Sequence, residues 1–429
     1  MMKRTILLLA VVATCLSSQA QTAREEIAEN PYLSGSNYLD YNRQLSTKPL
    51  TPAPKGYEPF YLSHYGRHGS RWLLDKRDYL DITDALLKAQ KQGKLTAKGA
   101  EVLGQLERFY PTTVKRLGDL TTVGERQHHG IGRRMTQNFP EIFLKKNVAV
   151  DARSTVVPRC ILSMMAECEE LQGANPSVRI HNDVSESLQH YLNQPWSDRL
   201  RKASRKARGT RDLYNRKLTH PERLCTVLFN DQQWAADSIS AGHLMRRLFD
   251  VATNMQSHDT DIDLLSLFTT DELYDQWRIR NVGWFLDYGS SPVTDEIMPY
   301  SQVNLLRNII ETADTITQVQ ATLRFGHEVC VMPLACLLEL DACGRTYTDL
   351  DQLDSEWRNY RIFPMACNVQ LVFYRPKKGR QGDILVKAML NERETTLPID
   401  SNQWPYYKWK DLRQYYLDKL QKYENSATE

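Results

Sequence analysis

Residues 60–72 read Phe-Tyr-Leu-Ser-His-Tyr-Gly-Arg-His-Gly-Ser-Arg-Trp: an apolar run of strand type enters a polar turn that carries two arginines and a histidine. The guanidiniums of Arg67 and Arg71 are planar forks that can hold phosphate oxygens bidentately. Gly69 lets backbone approach a ligand that a β-carbon would push away. His68 is held among cations, a setting that favours the neutral imidazole, a nucleophile, over imidazolium, which is not one. Arg-His-Gly by itself also suits an ordinary surface turn, so the elements around it must decide.

Those elements read as follows. Residues 21–55 form an extended lead-in broken by Pro49, Pro52 and Pro54, expected to wrap over the core. Apolar spacing predicts helices over 71–94 and 97–116, and Thr121 is placed to cap another. Residues 147–155 are a short β-rich run ending in Arg153, at the strand end where ligands collect in an α/β sheet; a helical pattern follows through Arg159. Between about 170 and 300 strand signals fade and helices rich in Trp, Tyr, Leu and Met take over. Within that stretch Arg199 to Lys217 is strongly basic, with Asp212 its one acid, which fits a solvated helix face, a nucleic-acid or membrane contact, or a cap over the site. Strand character resumes at 321–326 and an apolar helix follows, so His327 and Glu328 stand at a strand-to-helix junction. Further strands are expected near 366–374 and 384–387, with a closing amphipathic helix over 408–423.

The 429-residue chain has room for one large domain with an insertion or for two domains, and its 25% charged and 41% hydrophobic residues are ordinary for a globular protein. Lys3 and Arg4 before the apolar Thr5–Cys15 stretch, closed by Ser18-Gln19-Ala20, read as a cleaved secretory signal over residues 1–20. That predicts a periplasmic or secreted protein, with lipidation at Cys15 as an alternative. Seven of the eight cysteines would remain; none forms a Cys-x-x-Cys pair, so a zinc site is not expected, and Cys330 and Cys336 read as small buried hydrophobes. Losing Lys3 and Arg4 takes the formal charge from +3 to +1, so any anion selectivity must be local.

Arg-His-Gly-x-Arg directly after an apolar strand, at Arg67, His68, Gly69 and Arg71, resembles the signature of the histidine phosphatase superfamily. Three further blocks resemble its acid phosphatase branch: Leu120, Thr121, Gly124, Gln127, Ile131 and Gly132; the Arg153-Ser-Thr-x-x-x-Arg159 pattern; and the His327-Glu328 pair after a glycine. The branch usually carries His-Asp at this last place, whereas its inositol polyphosphatases carry His-Ala-Glu, so the pair here stands between the two.

The resemblance implies an α/β three-layer sandwich with a mostly parallel central sheet. Its core would be residues 21–170 and 300–429, with a mainly α-helical cap over 171–299. It implies a phosphomonoesterase with His68 as nucleophile, Glu328 as proton donor, and Arg67, Arg71, Arg153 and His327 on the phosphate, with no metal or other cofactor. Lys202, Arg205 and Lys206 would reach the remote phosphates of an inositol polyphosphate such as phytate. Other readings are a broad acid phosphatase on sugar phosphates and a non-catalytic phosphate-binding protein on the same fold. Neither a nucleic-acid partner nor a membrane span is expected.

Overall fold

The strand that feeds the Arg-His-Gly turn, β1 (Tyr57–Arg67), lies in the interior of an eight-stranded mixed sheet. The others are β2 (Ala149–Ser154), β3 (Arg179–Val184), β4 (Ala321–Gly326), β5 (Asn368–Pro376), β6 (Leu385–Leu390), β7 (Arg393–Glu394) and β8 (Tyr407–Lys408). They run in the order β3-β2-β4-β1-β5-β6-β7, with β8 also paired to β6. The half β3-β2-β4-β1 is parallel, and β5 and β6 extend it antiparallel. The computed structural model describes residues 21–315 and 318–426; the secretory stretch expected over 1–20 lies outside them.

Period-two alternation gives each strand two faces, and both are covered. On one face Leu62, Val150, Ala152, Leu323 and Val372 pack with Ile131 and Met135 of helix α1 (Thr122–Asn138) and Met164 and Leu171 of α2 (Pro158–Ala174). On the other, Tyr61, Tyr65, Leu371 and Phe373 join the apolar helix α6 (Glu328–Leu337) and the closing helix Trp409–Asn425. The sandwich has three layers, as expected. Strands β1 and β4 are covered on both sides, which accounts for their unbroken burial at Tyr61–Arg67 and Ala321–Gly326.

The segment between β3 and β4 is helical among the described residues, including α3 (Asp198–Lys206), α4 (Arg208–Leu218) and α5 (Thr270–Tyr288). It shares its core with its surroundings: Val282, Phe285 and Leu286 join the Tyr61 face of the sheet, while Leu248 and Phe249 pack with Leu86 and Leu103 of helices Lys76–Lys91 and Ala97–Thr113. The lead-in wraps the core as expected, with Ser34 to Asn37 buried, but it is not extended throughout: Thr22 caps a helix over Ala23–Glu29, and 3-10 turns follow at Pro31–Tyr38 and Tyr41–Gln44. No described helix is long and apolar enough to cross a membrane. All seven cysteines of the described residues are buried free thiols, Cys330 and Cys336 among them.

Candidate active site

The turn after β1 is built largely from main-chain contacts. The amide of Arg67 donates to Cys367 (2.8 Å) and that of His68 to Gly326 (3.0 Å), so the ends of three strands hold it. Past the strand, Gly69 N donates to Ser163 Oγ on α2 (3.1 Å) and Ser70 N to Gln127 Oε1 on α1 (2.8 Å). Thr121 caps α1, accepting from Gly124 N at 3.1 Å, and its hydroxyl donates to the Ser70 carbonyl at 3.1 Å. The turn therefore rests on the first turn of α1. A glycine is needed at 69 for that packing: a β-carbon there would lie 2.4 Å from the Gly124 carbonyl oxygen. One at Gly124 would meet the Ser70 carbonyl at 2.3 Å. The expectation that Gly69 makes room for a ligand thus gives way to close helix packing. Since the obstruction is backbone, Gly69→Ala should destabilise the protein by about 1–3 kcal/mol and lower activity, read as a drop in thermal midpoint and a loss of kcat.

His68 is 1% exposed. Its Nδ1 lies 2.8 Å from the Gly69 carbonyl, which can only accept, so Nδ1 carries the proton and the Nε2 lone pair is free. Burial pushes the imidazole well below its usual range; Glu328 opposes this and Arg67 adds to it. The neutral ring expected from the sequence is present, with desolvation as the larger cause. Glu328, the first residue of α6, places Oε2 3.1 Å from Arg67 Nε and 3.6 Å from His68 Nε2. Burial acts to raise that carboxyl, but the charge of Arg67, the His68 ring beside it and Arg71 outweigh it and hold it well below the carboxylate range. His327, which precedes α6, has its ring centroid 5.7 Å from that of His68. Burial lowers its pKa to about 4, against Glu328 and with Arg159, Arg67 and Arg71.

Arg67 is fully buried. Its Nη1 donates to the carbonyls of Asn37 (2.5 Å), Pro364 (3.1 Å) and Phe363 (3.3 Å), and its Nη2 has no partner. Arg71 is 3% exposed, donates Nη1 to the Trp72 carbonyl (2.9 Å) and stands 5.7 Å from the Tyr38 ring centroid. Its Nε is buried without a partner. Asn37 and Tyr38 come from the lead-in and were not legible as site residues; Asn37 contributes a carbonyl, which leaves no side-chain signal.

The two arginines of the 153–159 pattern are placed differently from the expectation. Arg153 lies on β2 opposite Arg324, on the same face as Asp151, where its guanidinium bonds Asp151 and donates to the Tyr191 hydroxyl (3.0 Å). Against burial, those partners raise its pKa. Arg159, in the first turn of α2, is the cation whose charge reaches His68 and His327. Its own pKa is lowered by burial; Arg71 and Arg67 lower it further, against Cys160 and Glu328. Its Nη1 donates to the Gly118 carbonyl (3.3 Å) and its Nε is unpartnered. Strand parity turns Arg153 toward Tyr191, while the helix start brings Arg159 to the histidines.

Lys202, Arg205 and Lys206 are exposed on α3, and Lys206 is paired with Asp295 at 2.7 Å. Arg211 on α4 bonds Asp287 of α5. Tyr288, next in the chain, is raised by burial and then by Asp287 and Glu328, with Arg211 opposing. Tyr288 thus feels the charges of both Glu328 and the Asp287–Arg211 pair, and Arg211 is the member of the basic run whose charge acts on the same side chain as Glu328.

His68, His327 and Glu328 offer metal-ligating atoms within 4.8 Å of one another. Arg67 and Arg71 bear on the same carboxylate, however, and this cationic setting favours an anion over a divalent cation. What the arrangement can do is hold a tetrahedral oxyanion on guanidinium N–H groups, with a free imidazole lone pair on one side and a carboxyl in contact with that imidazole.

Solved structures share this fold. A Bifidobacterium longum multiple inositol polyphosphate phosphatase in complex with inositol hexasulfate superposes with a TM-score of 0.70 at 19% identity, over 89% of this chain and 96% of that one. A phytase from D. castellii gives 0.67 at 14% identity over 91% and 85%. The Hafnia alvei phytase gives 0.53 at 14% over 86% and 98%. No curated protein sequence matches the chain. The family model for the histidine phosphatase superfamily (branch 2) matches residues 66–391, from the Arg-His-Gly turn to the end of β6, and the chain belongs to that superfamily.

Proposed function

We propose that the protein is a phosphomonoesterase that works through a phosphohistidine and acts on inositol polyphosphates such as phytate. The observation that carries the chemistry is the buried His68 Nε2 lone pair, unpartnered, beside the unpartnered N–H groups of Arg67, Arg71 and Arg159. Unpaired donors of this kind are costly unless an anion completes them.

In the first step His68 Nε2 attacks phosphorus, an N–P bond forms, and the ester P–O bond breaks. The leaving oxygen takes a proton from Glu328. In the second step Glu328 removes a proton from water as that water attacks the phosphohistidine, so that inorganic phosphate leaves and His68 is restored. Arg67, Arg71 and His327 neutralise the equatorial oxygens. Arg159 takes the place expected of Arg153, which instead braces Asp151 and Tyr191.

The free carboxyl of Glu328 is held in its ionised form. Its proton therefore arrives with the substrate, since a phosphate monoester has a second pKa near ~6 and is half monoanion there. Phosphate entering between Arg67 and Glu328 adds negative charge beside the carboxylate and raises its proton affinity. Glu328 in contact with the nucleophile supports an enzyme over a phosphate-binding protein.

Inorganic phosphate release from inositol hexakisphosphate, run beside a chromogenic aryl phosphate, tests the reading. Turnover of the aryl ester alone would leave a broad acid phosphatase on sugar phosphates. That second reading draws on the basic run itself, where Lys206, Arg211 and Lys217 are already paired with Asp295, Asp287 and Asp351. Partly exposed contacts contribute about 1 kcal/mol each. Arg211→Ala should raise KM for inositol hexakisphosphate up to about fivefold at low salt and hardly change a small aryl phosphate. Replacing Lys202, Arg205 and Lys206 together should do less, about threefold. Equal responses to both substrates would make the basic run a solvated face.

A further inference from the structure

A cavity of about 660 Å³ opens at the end of β6, beside the segment that clamps Arg67. Lys48, Arg361, Arg393, Thr395 and Trp404 are among its walls. The segment 361–364 lies between the two places: the carbonyls of Phe363 and Pro364 accept from Arg67, and that of Arg361 accepts from Asn391 Nδ2 (3.1 Å) and Arg393 Nη2 (3.2 Å).

The charges in the walls are unequally satisfied. Glu392 is bonded by Arg134 and Tyr41, Glu394 by Lys387 and Thr51, and Glu356 by Arg345. Asp341 accepts from Thr396 N at 2.8 Å. Every wall carboxylate thus has a donor. The cations do not balance: among the described residues no carboxylate lies within ion-pair distance of Lys48 or Arg393. Arg361 is paired with Glu26, outside the cavity walls. Arg393 is partly buried, its pKa lowered by burial and next by the like charge of Arg361. Thr395 is 2% exposed, and its hydroxyl has no hydrogen-bond partner. A guanidinium fork, an ammonium and an unpartnered hydroxyl around one space, with the acids already engaged, form a donor set for an oxyanion.

We propose that this cavity is a second anion site that takes inorganic phosphate on Arg393, Lys48 and Thr395, and that its occupancy bears on Arg67 through the 361–364 carbonyls. The two cations match the charge of a phosphate dianion. An anion drawn onto Arg393 competes with the Arg361 carbonyl for the same N–H, and that strand of main chain continues directly into the Arg67 clamp.

Phosphate binding by equilibrium dialysis on the full chain, at low ionic strength, tests this separately from turnover. Wild type should bind one more equivalent of phosphate than Arg393→Gln, and Arg393→Gln should hydrolyse an aryl phosphate at the wild-type rate when phosphate is absent. Added phosphate should inhibit wild type in a mixed fashion, raising KM and lowering kcat, and inhibit Arg393→Gln competitively only. Lys48→Gln, a change at an exposed residue that needs no repacking, should weaken the extra equivalent at least threefold, which keeps the test open should Arg393→Gln fail to fold. Equal numbers of equivalents in wild type and Arg393→Gln, or an unchanged affinity in Lys48→Gln, would overturn the proposal. A failure of the phosphatase reading would show instead as no hydrolysis in any variant, with the difference in bound phosphate intact.

Discussion

His68→Ala should leave a folded protein whose phosphatase turnover is lower by about five orders of magnitude or more, since removing a covalent nucleophile takes away the whole two-step route. The imidazole is 1% exposed, so the change also leaves a gap, with an expected loss of about 1–3 kcal/mol in unfolding free energy. A thermal melt and a circular dichroism spectrum separate that modest effect from loss of chemistry. A rapid-quench experiment with radiolabelled substrate adds the decisive reading: wild type should carry a covalently bound phosphate that is labile to acid and stable to base, and the variant none. Activity within a hundredfold of wild type in His68→Ala would sink the assignment of the nucleophile. Because the imidazole is held well below its ordinary range, it stays neutral under acidic conditions. Activity should accordingly persist on the acid side until the protein itself gives way.

The second large effect is expected at Glu328, and it depends on the substrate. Glu328→Gln should slow alkyl phosphates, inositol phosphates included, by about 10²–10⁴, because an alkoxide needs its oxygen protonated as it leaves. An activated aryl phosphate departs as an anion and should lose far less. The pH dependence carries a second signature. With the free carboxyl ionised, the proton enters on the substrate, so in wild type kcat/KM for an alkyl phosphate should fall as pH rises through the substrate's second pKa, near ~6. A basic limb at the carboxyl's own depressed pKa, the same for esters of different acidity, would contradict this order of events. Equal losses on alkyl and aryl substrates in Glu328→Gln would leave the residue a positioning role.

How much of this was legible depends on whether a contribution is local. Arg67 to Arg71 could be read because the arginines and the histidine proposed to act on the anion are contiguous, and a strand-type run announces the turn. His327 and Glu328 could be placed because a short strand-type run precedes them and an apolar run of helical length follows. The choice between Arg153 and Arg159 could not be made from spacing, because one lies on a strand, where parity decides its face, and the other in a first helical turn. The reason for glycine at 69 was hidden, since it is packing against Gly124, 55 positions away in the chain by subtraction of the two numbers. The basic run looked unopposed because its acids, Asp287, Asp295 and Asp351, come from distant parts of the chain. The antiparallel half of the sheet was likewise visible only as strands, their direction being set by how the chain returns.

The clamp on Arg67 bears on when the enzyme can first exist. One jaw is the Asn37 carbonyl, 30 residues before the arginine, and the other is the Phe363–Pro364 pair, 296 and 297 residues after it. The two jaws also meet directly, Met365 N donating to the Leu39 carbonyl at 2.9 Å. During vectorial synthesis the first jaw and His68 emerge early, while the second jaw waits until about six-sevenths of the chain is made. A nascent or truncated chain that stops short of Phe363 therefore carries His68 beside an Arg67 that lacks the Phe363 and Pro364 carbonyls that help orient it. The clamp is thus completed late in the life of the polypeptide, and only when two segments from opposite ends of the chain have met.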